Sequence, residues 1–257
     1  MGRARLYPSV GVHGQVTHEI GRTIVSCGFA EGAFLPREAE FAERFGASRQ
    51  AVREALKVLA AKGLVASRRR SGTRVLPRAN WNLLDPDVVA WYSAGDVPGA
   101  FLRDLFELRT AIEPEAAVLA ARRATPEQIG AIGAALKAMM SADKPSDAFF
   151  TADSAFHDAI MVASGNPLFE GLTEVIGPLM RRSYELHFEG VTSALADRHA
   201  IQAAVDHSLE QHAAVFRAIR DRDPRRAREA SDTLLDRIST EIDYAVRNGL
   251  PRARMAG

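Results

Sequence analysis

The 257-residue chain carries 33 Lys and Arg against 32 Asp and Glu, with a single cysteine. That length has room for two modest domains with proper cores, and the lone Cys27 excludes an intrachain disulfide or a cysteine metal cluster. No apolar run of about 18 residues is present to span a bilayer, and the first residues lack the apolar core of a signal peptide, so a cytoplasmic location away from membranes is expected.

The near-zero balance conceals an asymmetry. Residues 1–78 hold 14 Lys and Arg against 6 Asp and Glu, a net +8, while the remainder holds 19 against 26, a net −7. Opposite signs in two halves imply two tasks, the first involving a polyanion.

In chain order, the stripe Val16, Ile20 and Ile24 predicts a helix over 13–26, with Cys27 beyond it as a small buried filler near Ile24, Val25 and Phe29. A short helix over 38–45 places Phe41, Ala42 and Phe45 inward. Ser48 is the expected N-cap of a helix over 49–62 that buries Val52, Ala55, Leu56 and Leu59, and Gly63 fits its C-terminal end. "LVASRRRSGTRVL" predicts a hairpin turning at Ser71 and Gly72. Helix, tight turn, helix and basic hairpin make a winged helix-turn-helix, whose second helix enters the major groove. Arg49 and Arg53, one turn apart, can reach base edges, where a guanidinium matches guanine O6 and N7; Gln50 between them suits adenine. Arg68, Arg69, Arg70 and Arg74 on the hairpin are placed for phosphates or the minor groove.

"PRANWNLLDPDVVAW" (77–91) is a linker running into a short helix, with Trp81 and Trp91 as anchors against one of the domains. The rest predicts helices near 98–123, 126–141, 146–164, 167–187, 193–221 and 224–247, punctuated by Thr125-Pro126, Asn166-Pro167 and Asp223-Pro224. The expected fold is therefore mainly α: a winged helix-turn-helix with a small β-hairpin (1–78), a linker with a short helix (79–97) and an antiparallel helical bundle (98–257). Such a bundle builds ligand sites in its core from facing helices.

Inside the bundle, polar groups on apolar stripes are the informative residues. Asp153 and His157, four apart among Phe149, Phe150, Phe156, Ile160 and Met161, point the same way and can share one cation. His212 sits among Leu209, Ala213 and Phe216, and Arg109 among Leu102, Leu105 and Ile112. Buried charges need partners or a ligand. Three readings stand at this point: a polar network holding the helices in register, a cation or effector site, or the cluster of a metal-dependent hydrolase or lyase. The last leaves the basic half unexplained. No nucleophile triad, phosphate loop or nucleotide fingerprint occurs, so no enzyme is expected. His18, His187, His199 and His207 lack such company and read as surface or core-edge histidines.

The stretch "FLPREAEFAERFGASRQAVREALKVLAAKGLVASRRRSGTRV" (34–75) resembles the DNA-binding domain of the GntR family of bacterial transcription regulators. The resemblance lies in the Leu-Pro-x-Glu entry, the Gly-x-Ser-Arg turn, the Arg-Glu-Ala-Leu helix, the Gly-Leu-Val exit and the Gly-Thr wing tip. It implies DNA contacts from Arg37, Ser48, Arg49, Gln50, Arg53, Arg69, Arg70 and Gly72, and departs from the family at Ala39 and Arg70. "LFELRTAIEPEAAVLAARRAT", "ADSAFHDAIMVASGNPLF" and "LEQHAAVFRAIRDRDPRRA" resemble the FCD effector-binding domain of the FadR subfamily. This second resemblance implies that Arg109 meets an effector carboxylate, that Asn166 belongs to the effector site, and that Asp153, His157 and His212 hold one divalent zinc, nickel, iron or manganese ion. Where a fourth histidine is expected stands Arg237, so either the effector completes a three-ligand site or Arg237 supplies positive charge instead. The linker suggests the sugar-acid branch. Together these imply a homodimeric repressor that binds a palindromic operator and answers to a small carboxylate or sugar acid.

Overall fold

The computed structural model describes residues 6–8, 11–68, 71–93, 99–143, 146–173, 177–179, 181 and 198–247, without side chains at 99–100, 198–201 and 237–247. It divides into two compact units, Met1–Val97 and Pro98–Gly257.

The first unit contains α1 (Val12–Val25), α2 (Glu38–Arg44), α3 (Arg49–Ala61), β1 (Val65–Arg68), β2 (Gly72–Val75) and α4 (Pro86–Ser93). The apolar face of α3 (Val52, Ala55, Leu56 and Leu59) is buried, as are Val16, Ile20 and Ile24 of α1, the helix it packs against. α2 buries only Phe41; Ala42 and Phe45 are half-buried, because a seven-residue helix has too little length to seat all three. β1 and β2 pair antiparallel, with Val65 opposite Val75 turned inward and the Ser67 and Thr73 hydroxyls 2.8 Å apart outside.

Cys27 departs from its expected place. α1 ends one residue earlier, and two crossed bonds close it: Cys27 N–H to the Ile24 carbonyl (3.1 Å) and Gly28 N–H to the Thr23 carbonyl (2.8 Å). This closure places Cys27 at φ 62, off the helical rotation, so the thiol is exposed rather than packed. A left-handed L-residue costs about 1 kcal/mol that glycine avoids. Cys27→Gly is therefore expected to raise stability by about 0.5–1 kcal/mol in urea unfolding, and a lower midpoint would refute that account of the turn.

The linker folds onto the first unit. Trp81 and Trp91 are buried there; Trp81 Nε1–H donates to the Leu76 carbonyl (2.9 Å) and Trp91 Nε1–H to His18 Nδ1 (2.8 Å). Lys62, at the end of α3, reaches Asp85 at 2.7 Å and Asp87 at 2.6 Å, and Asp87 also accepts from Tyr7 N–H at 2.8 Å. Burial opposes the Lys62 charge, but the bonds to Asp85 and Asp87 outweigh it and lift the pKa above its ordinary value.

The second unit contains α5 (Gly99–Arg123), α6 (Pro126–Ser141), α7 (Asp147–Ala163), α8 (Arg198–Arg220) and α9 (Pro224–Arg247), with a further helical stretch at 167–173. Of the helices predicted near 167–187 and 193–221, residues 174–176, 180, 182–187 and 193–197 lie outside the described residues. α6 begins with the expected capping box between Thr125 and Gln128. α5 packs on α7, α8 and α9, α6 on α7 and α8, and α8 on α9. Buried Ala116, Ala117, Ala120 and Ala121 let neighbouring helices approach α5 closely. Pro114 inside α5 has no N–H to donate, which interrupts the helical ladder beside Glu113.

Candidate nucleic-acid interface and metal centre

The start of α3 is set by Ser48, whose hydroxyl accepts from Ala51 N–H at 3.1 Å, so this side chain serves as the helix cap. Arg49 and Gln50 lie in the first turn and are exposed. Arg53 is exposed too, but it is held: its Nη2 lies 2.8 Å and its Nε 3.2 Å from the Glu38 carboxylate, contributed by the first turn of α2. The Arg53 bond holds the Glu38 carboxyl below its usual range. The sequence reading missed Glu38, although the Leu-Pro-x-Glu entry contained it. Arg37 is exposed at the start of α2, and the Arg74 guanidinium lies 4.9 Å over the Phe34 ring beside β2. Gly72 opens β2 at φ 89, a conformation that favours glycine at the wing. Arg69 and Arg70 lie outside the described residues.

In the bundle the structure brings Arg109, Asp153, His157 and His212 into one buried cluster and adds Glu113. α5 supplies Arg109 and, one turn on, Glu113; α7 supplies Asp153 and His157 one turn apart; α8 supplies His212. Arg109 Nε donates to Glu113 Oε1 at 2.6 Å, and His157 Nδ1 lies 2.8 Å from Glu113 Oε2. His212 Nδ1 lies 2.7 Å from the Ser208 carbonyl, its Nε2 3.2 Å from Asp153 Oδ1 and 3.3 Å from His157 Nε2. The Phe156 ring stands edge-on to both imidazoles.

These contacts assign the protons. A carbonyl and a carboxylate only accept, so both Nδ1 atoms carry hydrogen, and in the neutral rings both Nε2 lone pairs face each other and Asp153. With both rings neutral, three electron-rich atoms converge, an arrangement that a cation satisfies, as does a proton on His212. The ligating atoms all lie within 4.8 Å of one another. The 3.3 Å between the two Nε2 atoms is close to the span expected of two nitrogens bound at about 2.0–2.1 Å to one tetrahedral ion. Outer bonds of the His157–Glu113 kind are what ligating imidazoles characteristically carry. The donor set therefore fits a divalent metal.

Burial opposes ionisation of Glu113, yet the charges of Arg109 and His157 and the bonds to them bring its pKa down to about 2. Asp153 is likewise lowered, burial being outweighed by its bond to His212 and that ring's charge. Asp158, next along α7 from His157, goes the other way: burial, with the Glu113 charge second, pushes it up to about 7. The Asn166 side-chain oxygen is engaged as a helix cap, accepting from Leu168 N–H at 3.0 Å. The Arg237 side chain lies outside the described residues. His18 is half-buried as expected and His207 exposed, while His187 and the His199 side chain fall outside the description.

Residues 13–75 match the family model described as "Bacterial regulatory proteins, gntR family", and residues 104–237 match the FCD domain. The chain belongs to the GntR family. The galactonate operon transcriptional repressor of Escherichia coli K12 is 33% identical over 216 residues, covering 84% of this chain and 90% of that protein. The repressor NanR of Klebsiella aerogenes is 31% identical over 232 residues, covering 87% and 82%. A putative L-lactate dehydrogenase operon regulatory protein of E. coli K12 is 33% identical over 215 residues, covering 82% and 78%. The solved structure of Lar, which controls expression of the Listeria monocytogenes agr system, shares the fold at TM-score 0.58 and 13% identity, covering 93% of this chain and 99% of that one. GntR regulators bind operator DNA and effectors, and this chain is a transcription regulator rather than an enzyme, which overturns the hydrolase or lyase reading of Asp153, His157 and His212. Among the described residues no helix is long and apolar enough to cross a membrane.

Proposed function

We propose that this GntR regulator is a homodimeric repressor whose winged helices bind a palindromic operator and whose FCD bundle binds a 2-hydroxycarboxylate of the sugar-acid class at a divalent metal. The observation that carries the effector half is the convergence of the His157 and His212 Nε2 atoms and one Asp153 oxygen beside a buried guanidinium. Asp153, His157 and His212 are the proposed ligands, and three protein ligands leave coordination positions for an effector. The ion, when bound, supplies a Lewis-acidic anchor for a carboxylate oxygen and a neighbouring hydroxyl. Arg109 neutralises the carboxylate, and its buried fork selects a planar anion over a neutral sugar. The names of two relatives refer to galactonate and L-lactate dehydrogenase operons; galactonate and lactate are both 2-hydroxycarboxylates.

On the DNA side, Arg49 and Gln50 read base edges from the exposed first turn of α3, while Glu38 aims Arg53 at its base. Arg37, Arg69 and Arg70 meet phosphates, Ser48 sets the helix entry, and Gly72 brings the wing backbone close. An effector that prefers one arrangement of the two winged helices shifts operator affinity by about 1–3 kcal/mol of coupling.

Operator binding by the intact chain, with and without D-galactonate or L-lactate, tests this reading. Arg49→Ala is expected to cost about 1–3 kcal/mol on the operator and much less on random DNA. Equal losses on both would make Arg49 a phosphate contact. Operator affinity unmoved by any 2-hydroxycarboxylate in the metal-loaded protein would remove the effector class.

A further inference from the structure

We infer that Glu113 makes effector binding conditional on the metal, by orienting His157 as a ligand and by setting the charge of the buried site. The inference rests on the metal and carboxylate reading just given. Glu113 places one oxygen 2.6 Å from Arg109 Nε and the other 2.8 Å from His157 Nδ1. Both neighbours are donors. The guanidinium has no acceptor, and a neutral His157 that ligates through Nε2 carries its proton on Nδ1. Only a carboxylate accepts from both; a glutamine turns its NH2 group against one of them. The bond to Nδ1 fixes the ring plane and makes Nε2 more basic, so Glu113 is a positioning residue that acts on the ion through His157.

The second effect is charge. The described buried side chains of the FCD unit include one guanidinium, Arg109, two carboxylates, Glu113 and Asp153, and two imidazoles. With neutral rings their sum is −1. That sum disfavours a further carboxylate in a core where charge is poorly screened. A divalent ion raises the neutral-ring sum to +1, which one effector carboxylate cancels. Replacing Glu113 with a neutral group lifts every count by one, and the metal-free site then tolerates the anion.

The test uses the full-length protein stripped by chelation, as wild type, Glu113→Gln and Glu113→Asp, with folding checked by circular dichroism. Titration with Zn2+ or Mn2+ is expected to show about 10–100-fold weaker binding for Glu113→Gln, with partial recovery in Glu113→Asp. Unfolding in D-galactonate is then followed with chelator and with Zn2+. Wild type is expected to gain stability only with the ion, and Glu113→Gln in both conditions. Unchanged metal affinity in Glu113→Gln overturns the inference, and so does a wild-type galactonate shift that survives chelation. If galactonate fails to stabilise even the zinc-loaded wild type, the effector reading has failed, and the titration alone decides whether Glu113 orients His157. Should Glu113→Gln not fold, Glu113→Asp carries the comparison, and affinity equal to wild type again overturns the inference.

Discussion

Gly63→Ala is expected to destabilise the winged-helix unit by about 2–4 kcal/mol, the sum of left-handed strain and overpacking. Gly63 closes α3 at φ +78, and an added Cβ would meet the Asn80 carbonyl oxygen at 2.1 Å. That oxygen is backbone and cannot rotate away. Either α3 unwinds its last turn or the segment at Arg78–Asn80 shifts, and the shift strains the Asn82 N–H bond to the Lys62 carbonyl at 2.9 Å. Gly32→Ala supplies the control, since Gly32 has nearly the same φ of +77 with nothing within 4 Å of its Cβ position. The difference between the two variants in urea unfolding isolates the collision. If both lost the same stability, the close approach of residue 80 to Gly63 would carry no energy.

Arg109→Met is expected to cost about 3–5 kcal/mol in the metal-free protein, because it leaves Glu113 charged and buried with its largest compensation gone. The Arg109 side chain is 0% exposed and that of Glu113 8%, so water cannot take the place of the guanidinium. Adding Glu113→Leu to Arg109→Met removes the stranded charge and is expected to recover a large part of the loss. Thermal unfolding of the two single variants and the pair gives the coupling. Strictly additive losses would mean that the two side chains do not stabilise each other.

The parts of this molecule that follow a local rule were readable from its residues. The α3 stripe, the Ser48 cap, the Thr125 box and the hairpin each depend on neighbours within a few positions. Asp153 and His157 stood out because polar groups on an apolar helical face violate the pattern around them. Glu113 gave no such sign. A glutamate in a long helix is ordinary, and only its distance of four residues from Arg109 hinted at a pair. Glu38 and Arg53 meet across 15 positions, and Lys62 and Asp85 across 23, separations that no periodicity reports. Cys27 was misplaced because its apolar neighbours in sequence suggested a core position, whereas the turn that ends α1 sets it at positive φ and exposes it.

The hold of α4 on the winged helix has a consequence for modular exchange. Evolution and engineering both build new regulators by joining the DNA-reading head of one chain to the sensor of another. Here the head ends where its packing ends, and Val88, Val89, Trp91 and Tyr92 are buried within Met1–Val97. A joint cut at residue 78, where basic charge gives way to the linker, would leave Lys62 without Asp85 and Asp87 and His18 without Trp91. A chimera jointed after Ser93 keeps those bonds within one parent. The serviceable seam for swapping sensors thus lies some fifteen residues beyond the one that charge alone marks, and heads transplanted with their own α4 should retain their grip on DNA under a foreign bundle.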